Sequence, residues 1–221
     1  MADIFQEIDE DLRREQAGKL WQKYGRFVIA LAVLIVLGVA AWRGWEWYAQ
    51  REAQAAGARF EDALALSRGG NTKEAANTLS GLVKDAPSGY RLLARFRLAT
   101  ETGRDNAADG IKAFESLSQD ASLGKVLQDL ARIRAGYLAV DTVPYADLAA
   151  KIEPLTAAGE PWRHAAREIL GLSAWKAKDL PTASKWFEAV VGDKDVPATE
   201  RQRAELMLQL ISADSPAKAA S

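Results

Sequence analysis

The chain has 221 residues with 29 basic and 30 acidic side chains, one histidine and no cysteine. The absence of cysteine excludes disulfides, thiolate metal sites, a cysteine nucleophile and a cysteine-linked lipid. A single histidine excludes zinc sites that need two or more, and the balanced charge provides no basic footprint for nucleic acid. Helix-forming residues dominate and alternating strand patterns are absent outside one apolar stretch, so we predict an all-α protein that needs no cofactor.

The first predicted element is a short N-terminal segment, residues 1–26, which we expect to lie in the cytosol. Its sequence "DIFQEIDEDLRREQ" places four apolar residues near one helical face, namely Ile4, Phe5, Ile8 and Leu12. Two interpretations fit this pattern. The segment is either a cytosolic docking helix or a short frayed helix that rests near the bilayer.

The next element is an apolar stretch of sixteen residues, Phe27 to Trp42, which carries no charge. A membrane-spanning helix needs about 20 residues, and the flanking side chains extend this stretch to that length. Aromatic and basic residues form a collar at each end, as is typical of membrane interfaces. The collar residues are Trp21, Lys23, Tyr24, Arg26, Trp42, Arg43, Trp45, Trp47 and Tyr48. We therefore predict a transmembrane helix with its interfacial belt over residues 27–48.

Two other interpretations of the stretch stay open. A buried core helix would not need collars at both ends. A cleaved signal peptide has a possible cleavage site in "VAA", residues 39–41. Against cleavage, the preceding segment is long and carries six acidic residues, and helical sequence continues through the site. We expect a retained anchor.

Orientation follows from the basic residues near the two ends of the span. Five precede it, namely Arg13, Arg14, Lys19, Lys23 and Arg26; three follow it, namely Arg43, Arg51 and Arg59. This bias places the N-terminus in the cytoplasm. We therefore expect a single-pass protein of the cell inner membrane, with residues 49–211 in the periplasm if the cell is Gram-negative.

Residues 49–211 contain a recurring helical pattern. The segment 69–87 has a Gly-Asn turn, then Ala75, Leu79 and Leu82, and a stop at Pro87. Those offsets match the second half of a tetratricopeptide repeat, in which a small residue lets two helices approach and a large one fills the groove. The pattern returns at Gly110, Leu148 and Ala183, with separations of 35, 38 and 35 residues.

These repeats predict four helical hairpins, roughly 49–87, 90–120, 122–158 and 162–196, followed by a closing helix over "ERQRAELMLQLI". The fold predicted is a tetratricopeptide-like α-solenoid, although an irregular helical bundle is the alternative. The expected packing residues are Ala75, Leu79, Pro87, Gly110, Phe114, Gly136, Gly171, Ala183 and Phe187. The tail, residues 212–221, is small and polar, and we expect it to be disordered.

The order of these elements resembles the YfgM-like ancillary subunits of the SecYEG translocon. The resemblance rests on a span ending in "AAWRGWEWY", on "GYRLLARFRLA" (89–99) and "PWRHAAREILGLSAWKAKDLPTASKWFEAVV" (161–191), and on the helix after "VPATERQRAELMLQLI". It implies a bitopic inner-membrane protein that associates with the translocon and with a membrane-anchored periplasmic chaperone of the prolyl-isomerase type. Such a protein is expected to help exported clients reach chaperones.

No residue pattern predicts catalysis. His164 is the only imidazole and has no nucleophile motif beside it, so we expect a surface or interface histidine. Trp162, Trp175 and Trp186 lie at helical spacing, where core packing is a better interpretation than a peptide groove. The leading hypothesis is a membrane-tethered scaffold that is not an enzyme. Its alternatives are an adaptor of another envelope complex, for cell division or wall synthesis, and a membrane-anchored enzyme that uses His164.

Overall fold

The computed structural model describes the backbone of residues 2–214 and the side chains of residues 21–213. Within that range the chain is entirely helical, with nine α-helices, one 3₁₀ turn and no strand, which confirms the all-α prediction. The helices are α1 (Ala2–Arg68), α2 (Thr72–Asp85), α3 (Ser88–Asp105), α4 (Ala107–Ser118), α5 (Lys125–Ala139), α6 (Tyr145–Ile152), α7 (Arg163–Lys176), α8 (Leu180–Val191) and α9 (Ala198–Asp214). The 3₁₀ turn, Glu153–Thr156, directly follows α6.

The chain divides into two units, Met1–Ala55 and Ala56–Ser221, and α1 supplies residues to both. In the first unit the apolar side chains of α1 are exposed, and only 6% of its most apolar 18-residue window is buried. This exposure contradicts a core helix, because a core helix buries its apolar side chains. By length and composition the helix meets the requirements of a membrane span or a signal anchor.

The aromatic collar residues of the first unit are also exposed, from 47% for Tyr24 to 75% for Trp45. Cationic side chains lie over several aromatic rings: the Arg51 guanidinium is 3.9 Å from the Trp47 ring centre, and the Lys23 ammonium is 5.3 Å from that of Tyr24. The side chains of Ile4, Phe5, Ile8 and Leu12 lie outside the described residues.

The second unit consists of four consecutive helical hairpins and a closing helix. The first helices of the four hairpins are, in order, residues 56–68 of α1, then α3, α5 and α7. The second helices are α2, α4, α6 and α8. Helix α9 covers the last hairpin, because Ala204 and Ile211 are buried in a cluster with Ala183 and Phe187. The predicted disordered tail lies mostly outside the described residues.

The turns within the hairpins follow from local sequence. Gly70 adopts φ +83°, a conformation that side chains with a Cβ rarely enter, and so ends the first helix of hairpin one. Asn106 caps α4 by accepting a hydrogen bond from the amide of Ala108 at 2.9 Å. Asp179 caps α8 in the same way through Thr182, at 3.2 Å.

Small residues set the distance between the two helices of a hairpin. A Cβ on Gly110 would lie 2.3 Å from the Cα of Gly103, so α3 and α4 cross with their backbones in contact. In the last hairpin, Gly171 faces the ring of Phe187, which is fully buried. Ala75, Leu79, Phe114 and Ala183 are also buried, whereas Pro87 is partly exposed at the start of α3.

Candidate interaction surface

The first helices of the hairpins and the closing helix α9 contact one another within the second unit. Polar contacts connect α1 to α3, α5 to α7, and α7 to α9, although none of these pairs is consecutive in the chain. Direct contacts between these helices require them to lie side by side. We call their shared side the first-helix face; it comprises residues 56–68 of α1 together with α3, α5, α7 and α9.

A buried carboxylate joins the first two helices of this face. Glu101 on α3 is fully buried and accepts a hydrogen bond from the hydroxyl of Ser67 at 2.8 Å. Arg97 lies 2.8 Å and Arg104 3.4 Å from the same carboxylate, and both also donate to the Ser67 oxygen. Burying an isolated charge is costly, so these three partners are what make the buried position tolerable.

A second carboxylate joins the last three helices of the face. Glu168 on α7 accepts a two-pronged contact from Arg203 on α9, at 2.7 and 2.8 Å, and a hydrogen bond from the Tyr137 hydroxyl at 3.0 Å. Burial and the negative charge of Glu168 raise the pKa of Tyr137, and the hydrogen bond to Glu168 raises the pKa of Arg203. The phenol and guanidinium therefore stay protonated as donors at physiological pH.

The face exposes its cations and buries these acids. The Arg104 and Arg203 side chains are about half exposed, at 52% and 51%, whereas the side chains of Glu101 and Glu168 are 0% and 11% exposed. Arg134 on α5 is exposed and forms no hydrogen bond or ion pair with another described residue. Leu93 adds an exposed apolar side chain. Around these buried acids the face presents positive charge and apolar surface together, while Glu61 on α1 and Glu205 on α9 are exposed acids of the same helices. The cationic part suits a protein segment carrying acidic side chains.

A family model for the tetratricopeptide repeat-like domain matches residues 19–209 of the chain. The chain belongs to this family. The match includes the apolar stretch as well as the four hairpins, and it confirms the tetratricopeptide-like prediction. No curated protein and no solved structure shows significant similarity to the chain. Domains of this family act in general as protein-interaction scaffolds, so protein partners are the expected ligands of this one.

The single histidine of this tetratricopeptide repeat-like domain is not at the surface. His164 is 8% exposed in the first turn of α7, which contradicts a surface position. An interface position, the other expectation, stays a prediction. Its Nε2 lies 3.0 Å from the Asp193 carboxylate without hydrogen-bond geometry, and its Nδ1 lies 3.8 Å from Glu200. Sequence could not show this, because the two acids come from the segment after α8 and from α9.

Arginines dominate the surroundings of that histidine. Arg163 donates to both oxygens of Asp193, at 2.8 and 3.2 Å, and Arg167 donates to the same carboxylate at 3.0 Å. The Arg163 hydrogen bonds hold the pKa of Asp193 far below its usual range. An acid held in this way is a poor proton acceptor. The hydrogen bonds from Arg163 and Arg167 to Asp193 tie α7 to the chain after α8. In residues 21–213 no group of His, Asp and Glu is arranged to hold a metal ion.

The three tryptophans of the repeats belong mainly to the core. Trp162 and Trp186 are half-buried against the cluster around Ile169, and each indole N–H has an internal acceptor, Val126 O and Tyr145 Oη respectively, both at 3.0 Å. Trp175 packs against the cluster around Phe187. These contacts favour the core interpretation of the three residues over a peptide groove.

Sequence reasoning missed the residues that shape the first-helix face. Glu101 stands between two threonines in "RLATETG", and Glu168 stands between Arg167 and Ile169 in "AAREILG". The local signal is confined to Glu101, where Arg97 and Arg104 lie four and three residues away, the spacing of a helical ion pair. The long-range partners Ser67 and Arg203 carry no such signal.

Proposed function

We propose that the protein is a membrane-tethered protein-interaction scaffold whose binding surface is the first-helix face. The observation that carries this proposal is the combination, in one chain, of an exposed apolar helix long enough to cross a membrane and a tetratricopeptide repeat-like domain. Anchoring confines the domain to the vicinity of other membrane proteins. It raises their effective concentration, so weak contacts at the face suffice.

The proposed location is the inner membrane, with the N-terminus in the cytoplasm and the repeats in the periplasm. The basic residues that precede the span support this orientation. A reporter that is active only in the periplasm, fused after Ser221, should be active. A matched reporter that is active only in the cytoplasm should be silent, and the reverse result would overturn the orientation.

The proposed role is that of an ancillary translocon subunit. Its partners would be the SecYEG translocon, a membrane-anchored periplasmic chaperone of the prolyl-isomerase type, and newly exported clients. This part of the proposal is supported by the resemblance of the chain to YfgM-like proteins, from the "AAWRGWEWY" end of the span to the closing helix.

Site-specific photocrosslinking in native membranes tests both surface and partner. A photoreactive amino acid at Arg134 should capture translocon or chaperone subunits. The same group at Lys185, an exposed residue of the second helix α8, should not. Equal capture at both positions would argue against the first-helix face. Capture at Arg134 of division or wall-synthesis proteins alone would favour an adaptor of another envelope complex.

A further inference from the structure

A second candidate site lies between α4, α5 and α6. It is a cleft of about 350 Å³ whose walls are both apolar and polar. The apolar residues are Ile111 on α4, Ala135 and Ala139 on α5, Val143 in the following loop, and Leu148 and Ile152 on α6, and Glu115, Ser118 and Gln119 at the end of α4 are polar. A volume at the low end of the range for ligand pockets suits one or two side chains better than a large molecule.

The small residues of α5 leave room for this cleft. Ala135, Gly136 and Ala139 all line it, so α5 places no large apolar side chain in the space beside α4 and α6. Gly136 itself is closely packed, because a Cβ there would lie 3.0 Å from Ile152 and 3.1 Å from Ile169.

The mouth of the cleft carries net positive charge. Lys151 and Arg132 line it with side chains that are 63% and 42% exposed. Each has an acidic partner: Glu115 lies 2.6 Å from Lys151 and is 35% exposed, and Asp129 lies 2.7 Å from Arg132 and is 1% exposed. Of the two acids, only Glu115 faces the solvent to a comparable degree, so an incoming ligand meets more positive than negative charge.

We propose that this cleft binds a protein segment that inserts one aliphatic side chain between α4, α5 and α6 and places adjacent acidic side chains beside Lys151 and Arg132. The apolar walls provide the burial of the inserted side chain, and the two cations select the acids that flank it. The site shares α5 with the first-helix face but is completed by the second helices α4 and α6. This inference rests neither on the proposed location nor on the proposed partners.

Methyl NMR of the full chain tests this proposal directly. The protein is placed in nanodiscs of phosphatidylethanolamine and phosphatidylglycerol and titrated with a Gly/Ser peptide that carries one Leu between two Asp residues. The methyl signals of Ile111, Leu148 and Ile152 should shift, while those of Leu206 on α9 should not. A peptide with Lys in place of Asp should bind about fivefold more weakly, and one with Ser in place of Leu should produce no shift.

Two pairs of variants locate the binding. Val143→Trp fills the cleft and should abolish the shifts, whereas Lys185→Trp adds the same side chain at an exposed position of α8 and should leave them unchanged. Lys151→Glu should reverse the preference from Asp-flanked to Lys-flanked peptides. The control Lys185→Glu, an equal charge change on α8, should not. If circular dichroism shows that Val143→Trp does not fold, the peptide preference of Lys151→Glu decides whether the peptide binds in the cleft.

Four results would overturn the proposal. The first is an absence of shifts in the cleft methyls, and the second is equal binding of the Asp-flanked and Lys-flanked peptides. The third is a response to decanoate but to none of the peptides, which would identify an acyl chain as the occupant. The fourth is a shift that depends on protein concentration without peptide, which would identify a second copy of the chain.

Discussion

Arg132 on α5 and Arg167 on α7 lie 35 residues apart on consecutive first helices, yet they make different contacts. Arg167 is 14% exposed and bridges two elements: it donates to the carbonyl of Thr156 in the 3₁₀ turn and to that of Ala189 on α8. Arg132 is 42% exposed and remains within its own helix, with Asp129 at 2.7 Å. Arg167 therefore bridges the junction between the third and fourth hairpins. The junction between the second and third hairpins, beside Arg132, contains the cleft.

The cause of this difference is the residue three positions earlier. In α5 that residue is Asp129, an acid one helical turn away, which pairs with Arg132 locally. In α7 the corresponding residue is His164, so Arg167 has no local acid and reaches Asp193, 26 residues later. At these two positions, the arginine with a local acid stays on its own helix and the arginine without one contacts neighbouring elements.

The largest expected effect is that of Arg167→Met. The substitution keeps an apolar stem of similar length but removes the donors to Thr156, Ala189 and Asp193. We expect a loss of about 3 kcal/mol in unfolding free energy, because partly buried acceptors lose their charged partner. Urea unfolding of the full chain in detergent micelles, followed by circular dichroism, measures the change. A loss no larger than that of an exposed control, Lys185→Met, would contradict the bridging role.

The next effect concerns the glycines at equivalent positions of the same two helices. A Cβ at Gly171 would lie 2.8 Å from the ring of Phe187, and one at Gly136 would lie 3.0 Å from the end of Ile152. The Cβ at Gly136 would also lie 3.1 Å from the end of Ile169. Because the ends of two isoleucine side chains can shift more easily than the rigid Phe187 ring, Gly136→Ala should cost about 1 kcal/mol and Gly171→Ala about 2 kcal/mol. The same urea experiment measures the loss of unfolding free energy for each variant. A larger loss for Gly136→Ala than for Gly171→Ala would show that α5 is packed at least as tightly as α7.

The bridged junction should also be sensitive to acid. The pKa of Asp193 is lower in the folded protein than its unfolded value of about 3.9, so its contribution is complete above that value and is lost as the pH falls below it. Asp193→Asn removes this dependence. Between pH 6 and pH 3 its midpoint of thermal unfolding should fall by about 5 °C less than that of the native chain. Equal falls would show that other acids control the response.

The smallest effect is that of Arg132→Met, the counterpart of the first substitution. Asp129 keeps its contact with Lys125, at 2.8 Å, and within residues 21–213 Arg132 forms polar contacts only with Asp129 of its own helix. We expect a loss of about 1 kcal/mol in unfolding free energy, in the range of partly exposed ion pairs. The urea experiment compares this variant with Arg167→Met. If the two variants lose similar unfolding free energy, the distinction between the two junctions is wrong.

Much of the fold could be predicted from periodicity. The recurrence of small and large apolar residues at Ala75, Gly110 and Ala183 indicated helical hairpins, because a helix pair needs those residue types where its axes cross. The turn at Gly70 could be predicted from local sequence, because glycine adopts the positive φ that the turn needs. The candidate surfaces were not predictable, because neither the buried position of Glu101 nor the gap beside Gly136 leaves a periodic trace.

The sequence by itself determined the helical class, the order of the hairpins and the exposed apolar helix that precedes them, since these depend on residues a few positions apart. Only the tertiary structure decided which charges are buried and which junction stays open. Ser67 and Glu101 are 34 residues apart, and Tyr137 and Glu168 are 31 apart. Such contacts exist only once the hairpins have stacked, and they leave the cations exposed on the first-helix face.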